Sequence, residues 1–168
     1  MTTYTVKVEP LKINITPLGF YMFARDYFQV AKSAMKLDTG KRINYPAYFL
    51  YTRALELLLK SVLLASGTVT KENLKVKCKH DFDKILKLFT SDLKENICLE
   101  KSDEDVLLTL NKWYKTSEKK FEYYDLMTSG IISIEKTNYP ILPDFNVLQS
   151  LGEKMINEKA KGYILSKS

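Results

Sequence analysis

Cysteine and histidine are scarce, and their scarcity excludes two kinds of site. Cys78 and Cys98 are the only cysteines in 168 residues, too few for the disulfide framework of a small secreted domain. A zinc site would need a second pair of ligands, and His80, the lone histidine, brings none at a fixed spacing. We therefore expect no metal site, no cofactor and two reduced thiols.

Long apolar runs and glycine-rich loops are absent as well. No run approaches the roughly 18 apolar residues of a membrane-spanning helix, and the N-terminal MTTYTVKVEP lacks the apolar core of a signal peptide. We expect a cytoplasmic protein with no membrane segment. Neither G-x-x-x-x-G-K-[ST] nor G-x-G-x-x-G occurs, which excludes the two common glycine-rich phosphate loops.

The chain is rich in lysine and carries a formal net charge of +6, with an isoelectric point near 9.1. A basic domain of this kind is compatible with a nucleic acid or another acidic partner. The same lysines are also compatible with an ordinary solvated surface. Composition leaves both interpretations open.

Apolar residues at three- and four-residue spacing predict a mainly α fold, and the scarcity of glycine and proline supports it. Helix-start signals such as Thr16 before Pro17, and the stop signal Gly67, set the boundaries. The predicted helices run from Pro17 to about Lys36, from Asn44 to Gly67, from Asp81 to Phe89, from Ser102 toward Tyr124, and from Asp144 to about Lys161.

Two short segments have the alternating pattern of a strand instead. Residues 4–15 alternate apolar and polar side chains and predict an N-terminal β arm or hairpin, with which residues 130–137 could pair. We expect a single domain over 1–168, with a β-like arm at 1–16, a helical bundle core at 17–125, and a β-like segment and C-terminal helix at 126–168.

The apolar segment YTRALELLLKSVLL contains three charges, Arg53, Glu56 and Lys60, that fall in one narrow arc of the second helix. One interpretation is a solvent-facing seam with weak ion pairs. The other is a row that lines a cleft, in which Glu56 positions a cation or His80. We favour the seam, because buried unpaired charge is costly.

His80 lies in KVKCKHDFDKIL, at the predicted entrance of the third helix. Histidine titrates near neutral pH and could act there as an acid or a base, with Lys77 or Lys79 neutralising a phosphate. Alternatively, His80 hydrogen-bonds to Glu56 or to a backbone carbonyl and fixes the connection between two helices. We favour the structural role.

Three segments together resemble the HEPN superfamily of small prokaryotic helical domains. They are NYPAYFLYTRALELLLKSVLLASG, KCKHDFDKILKL and LNKWYKTSEKKFEYYD. In the second, which is similar to the family's Gly-His-Asp-Leu helix entrance, Lys79 replaces the glycine and Phe82 the leucine. The resemblance implies an antiparallel bundle of four or five helices that often dimerises, and a link to toxin–antitoxin or other defence systems that act on RNA.

Many proteins of that superfamily are metal-independent RNases with an arginine that precedes a histidine by four to six intervening residues. Here the corresponding positions are Asn73, Leu74 and Lys75, and a lysine lacks the two-pronged donor set of arginine. Arg53 could reach His80 only through the fold. The usual RNase motif is absent, so enzymatic activity is uncertain and not favoured.

Three functions remain open. The first is a HEPN-like module, expected as a homodimer, that binds RNA, a nucleotide or a cognate protein through residues such as Arg53, Lys60, Lys75, Lys77 and Lys79. The second is a divergent RNase in which His80 is the acid or base, Lys75 or Lys79 holds the phosphate and Glu56 orients the imidazole. The third is a protein-interaction scaffold. We favour the first.

Overall fold

The structure is a computed structural model that describes residues 16–37, 43–115 and 141–167. Within these ranges every regular element is helical, which confirms the mainly α fold. The elements are α1 (Pro17–Met35), α2 (Tyr45–Ala65), α3 (Lys71–Asn73), a π-helix (Leu74–Cys78), α4 (Phe82–Leu86), α5 (Ser91–Asn96), α6 (Lys101–Tyr114), α7 (Phe145–Met155) and α8 (Glu158–Ser166). The two predicted β-like segments, 4–15 and 130–137, lie outside the described residues.

Side-chain caps begin the helices where the sequence predicts. The side chains of Thr16, Asn44, Asp81 and Asp144 each accept a hydrogen bond from a backbone N–H of the first helical turn, at 2.8–3.1 Å. Each cap satisfies a backbone donor that has no partner inside the helix. Gly67 follows α2 with φ 71°, the left-handed geometry expected of a residue that ends a helix.

Besides the end of α4, which lies at Leu86 and not at Phe89, three predicted boundaries are wrong. The helix expected from Ser102 begins at Lys101, because Glu100 and Asp103 form the capping box. It ends at Tyr114, since the backbone of Lys115 is extended (φ −55°, ψ 148°); the rest of the predicted span, toward Tyr124, lies outside the described residues.

The third error concerns the C-terminus, where one helix was expected from Asp144 to Lys161. Ile156 leaves the helical conformation (φ −87°, ψ 67°), and Asn157 caps a second helix by accepting from the Ala160 N–H. The result is two shorter helices, α7 and α8. Helix α5 is absent from the helices predicted from the sequence, because it buries only Leu93 and is too short to show periodicity.

Helix α2 lies at the centre of the described fold, with apolar residues fully buried around most of its circumference. Helix α1 packs antiparallel beside it. The Ser61 hydroxyl donates to the Pro17 carbonyl at 2.6 Å, and at the other end the Asn44 amide donates to the Ala34 carbonyl at 2.9 Å. Among the described residues, no helix combines the length and the apolar character needed to span a bilayer.

Helix α7 crosses α1 at van der Waals distance. A Cβ atom on Gly152 would lie 2.0 Å from the ring of Phe28, so glycine is required for this close approach. The Phe28 ring also meets Tyr51 of α2 edge to face, with 5.1 Å between the ring centroids. The three helices therefore share one tightly packed contact.

Candidate functional site

The lysine-rich connector after α2 forms the short helix α3, followed by a π-helix. Thr70 caps α3 by accepting from the Asn73 N–H at 3.2 Å, and the Lys79 N–H closes the π-helix on the Leu74 carbonyl at 3.1 Å. Leu74 and Cys78 are buried. The segment is anchored by two side chains while its lysines stay exposed.

The connector turns sharply at Lys79, which has φ 44° and ψ −122°. These are the angles of the first central residue of a type II′ turn, a position that glycine dominates. A lysine in this region carries a backbone strain of about 1–3 kcal/mol. The Lys60 ammonium donates to the Lys79 carbonyl at 2.5 Å and holds the turn against α2.

Helix α6 fixes the residues that follow the turn. The Asn111 amide donates to the Asp81 carboxylate, and its oxygen accepts from the Phe82 N–H, both at 2.9 Å. One helical turn later, Tyr114 meets the His80 ring edge to face at 5.6 Å. His80 is thereby held between α2 and α6.

Glu56 is the centre of what we call the Glu56 cluster, formed with Arg53, Lys60, His80 and Tyr114. Its carboxylate is fully buried. Oε2 accepts from Arg53 Nη1 at 2.8 Å and from the Tyr114 hydroxyl, and lies 3.1 Å from His80 Nδ1, while Oε1 accepts from the Lys60 ammonium. The preferred interpretation of these charges as a solvent-facing seam is wrong: Glu56 and Lys60 are buried, and Glu56 positions His80.

The cluster keeps Glu56 ionised. Burial by itself raises the pKa of the carboxyl, but the hydrogen bond from His80 and the charges of Lys60 and Arg53 outweigh burial and lower the pKa to about 2. Burial and the negative charge of Glu56 raise the pKa of Tyr114, so its phenol stays protonated and donates.

The contact with Glu56 also bears on the tautomer of His80. An ionised carboxylate only accepts, so a hydrogen bond between it and the ring requires the proton on Nδ1. Nε2 of the neutral ring is then the basic nitrogen. Arg53 Nη1, also 3.1 Å from Nδ1, could donate to the ring only in the opposite tautomer. We assign the proton to Nδ1, because a buried charge gains more from the bond than a neutral ring does.

A pocket of about 500 Å³ opens beside the Glu56 cluster. The described part of its lining combines cationic or ionisable side chains with three apolar ones. These residues are Phe20 from α1, Arg53, Leu57 and Lys60 from α2, Lys71 from α3, Leu74 and Lys75 from the π-helix, and Lys79 and His80 from the turn.

The pocket brings together most of the residues singled out from the sequence. Arg53, Lys60, Lys75, Lys79 and His80 all line it. Glu56 does not reach the wall and lies buried behind it. Lys77 is exposed on the π-helix and is not one of the lining residues, so the structure places it outside this pocket.

Sequence reasoning missed three residues of this region, namely Phe20, Lys71 and Tyr114. The spacing of Phe20 and Tyr114 in the sequence indicates only the apolar faces of two helices. The Tyr114 hydroxyl donates to the buried Glu56, but these two residues lie 58 positions apart in the sequence. No local pattern links them, and only the fold reveals the contact.

The described residues contain no group of three or more His, Cys, Asp or Glu side chains placed to hold a metal ion. No protein-family model, no curated protein and no solved structure matches this chain.

Proposed function

We propose that the pocket binds the phosphate groups of RNA or of a nucleotide. The observation that carries the proposal is the lining itself: Arg53 and four lysines surround one cavity, and no described lining residue is acidic. Charges of one sign around a concave surface concentrate the field and attract an anion. Arginine and lysine are also the usual partners of phosphate oxygens.

The buried carboxylate does not cancel this positive charge. Glu56 is paired with both Arg53 and Lys60, so these three residues together remain cationic. The ammonium groups of Lys75 and Lys79 form no ion pair with any residue in the described ranges and are exposed. They remain available for a ligand.

A place in a defence or toxin–antitoxin system, homodimerisation and a cognate protein partner stay predictions from the HEPN resemblance. The alternative of a plain interaction scaffold would leave the convergence of cations around one pocket without a role. We therefore rank it below phosphate binding.

A divergent metal-independent RNase is the second candidate, and one observation favours it. Arg53 Nη1 lies 3.1 Å from the His80 ring, so the fold brings together the arginine and histidine that the local motif lacks. His80 Nε2 would take the proton of the ribose 2′-hydroxyl, and Arg53 would stabilise the charge that develops on the phosphate. Glu56 would orient the imidazole.

Binding is tested with a fluorescent single-stranded RNA titrated at several salt concentrations. We expect affinity to fall steeply with salt, because lysine–phosphate contacts release counterions. Lys75→Ala should weaken binding and reduce the salt slope by about 0.7–1. Lys77→Ala is the matched control, as its exposed lysine lies outside the pocket, and should bind like the unmodified protein. A flat salt response would contradict the proposal.

Cleavage is tested on mixed cellular RNA in excess EDTA. His80→Asn is the informative variant, because an amide N–H can still donate to Glu56 while the acid–base nitrogen is lost. Cleavage by the unmodified protein that disappears in this variant supports the RNase. RNA binding without cleavage leaves a binding module with His80 as a structural residue.

A further inference from the structure

We infer that the apolar part of the pocket receives one unstacked base, so that the ligand is a nucleotide unit of single-stranded RNA. The inference rests on the proposed phosphate binding and adds a role for Phe20, which forms this part of the pocket with Leu57 and Leu74. Phe20 is the only lining residue contributed by α1, and that helix adds no charge to the pocket.

Phe20 is held firmly where it meets the pocket. It lies in the first turn of α1, which Thr16 caps and which Pro17 ties to Ser61 of α2 at 2.6 Å. The ring is partly exposed and packs on the core with its remaining surface. A rigid aromatic ring at the edge of a cationic cavity is a stacking surface.

The size and chemistry of the pocket select among phosphate ligands. A volume of about 500 Å³ falls within the range of roughly 300–1,000 Å³ typical of small-molecule sites. A bare phosphate would leave the apolar part of the lining unused. A duplex keeps its bases stacked inside the helix, where Phe20 cannot reach them. A nucleotide with an exposed base uses both the cations and the ring.

The test compares three ligands of about 12 nucleotides: a single-stranded RNA, its blunt duplex and an abasic ribose-phosphate chain. We expect the single strand to bind roughly 5- to 100-fold more tightly than the abasic chain, the gain from stacking a base on an aromatic ring. Phe20→Leu, which keeps apolar bulk and removes the π-face, should remove most of that gain and leave binding of the abasic chain unchanged.

Two further variants complete the test. Phe23→Leu is the matched control, since Phe23 lies on the same helix, is 53% exposed and does not line the pocket; its affinities should not change. Phe20→Trp should restore tight binding of the single strand.

The outcomes separate this inference from the proposed function. Equal affinity for the single-stranded RNA and the abasic chain, unaffected by Phe20→Leu, would overturn the role of Phe20 and leave phosphate binding intact. Preference for the duplex would also overturn it. Failure of all three ligands to bind would overturn the proposed function itself.

Discussion

Two groups of charged residues in this protein have similar geometry and different surroundings. One is the Glu56 cluster. The other joins α6 and α7, where Lys154 contacts Asp103 at 2.8 Å and Glu100 at 3.1 Å. The side chain of Glu56 is fully buried, whereas those of Lys154 and Glu100 are 31% and 70% exposed.

Distance alone therefore does not rank these ion pairs. Water screens the α6–α7 group, and exposed pairs of this kind contribute about 0–1 kcal/mol. The carboxylate of Glu56 is fully buried, so its charge depends on the donors around it. We expect the two groups to respond differently to mutation and to acid.

The largest expected effect follows from Glu56→Gln. The substitution keeps the shape of the side chain and leaves the charge of Lys60 without a buried counter-ion, so we expect a loss of about 3–5 kcal/mol in the free energy of unfolding. Urea denaturation measures it. The matched control is Lys154→Ala in the exposed group, with an expected loss of about 1 kcal/mol or less. Equal losses of stability in the two variants would support the interpretation of Glu56 as part of a solvent-facing seam.

Acid should reduce the difference in the free energy of unfolding between the unmodified protein and the Glu56→Gln variant. The pKa of Glu56 is about 2 in the folded protein and 4.5 in its ordinary state. Its stabilising contribution is therefore fully present above about pH 4.5 and is lost as the pH falls toward 2. Urea denaturation across this pH range measures the convergence, and a constant difference down to pH 2 would contradict a buried, ionised Glu56.

The smallest expected effect is a gain in stability. Lys79→Gly relieves a backbone strain of about 1–3 kcal/mol, and the greater freedom of glycine in the unfolded chain offsets about 0.5–1 kcal/mol of that gain. We expect a net stabilisation of about 1 kcal/mol together with weaker RNA binding. Thermal unfolding and RNA titration of the same sample measure both. Lower stability of the variant would show that the Lys79 side chain stabilises the fold by more than the strain of its backbone destabilises it.

Sequence patterns predicted the long helices because their signals are local. Thr16 with Pro17, and Asn44 with Pro46, mark the starts of α1 and α2 within a few residues of chain. Helix α5 has six residues and therefore shows no apolar repeat. The break at Ile156 and Asn157 was not predicted either, because an asparagine inside an apolar repeat does not by itself mark the end of one helix and the start of another.

The candidate site was predictable only in part. The lysines near His80 were visible as a basic run, and four of the five predicted binding residues line the pocket. The burial of Glu56 was not predictable, since its donors include His80 and Tyr114, which lie 24 and 58 residues away. Sequence showed the charges on α2 and could not show what covers them.

The contact between Gly152 and Phe28 has an evolutionary consequence. A side chain at position 152 would collide with the ring at position 28, so position 152 cannot gain one while position 28 holds a phenylalanine. Related proteins should exchange the two together, with a smaller residue at 28 wherever 152 has gained a methyl group. A collection of such relatives would reveal the pair as correlated substitutions between the first helix and the C-terminal region.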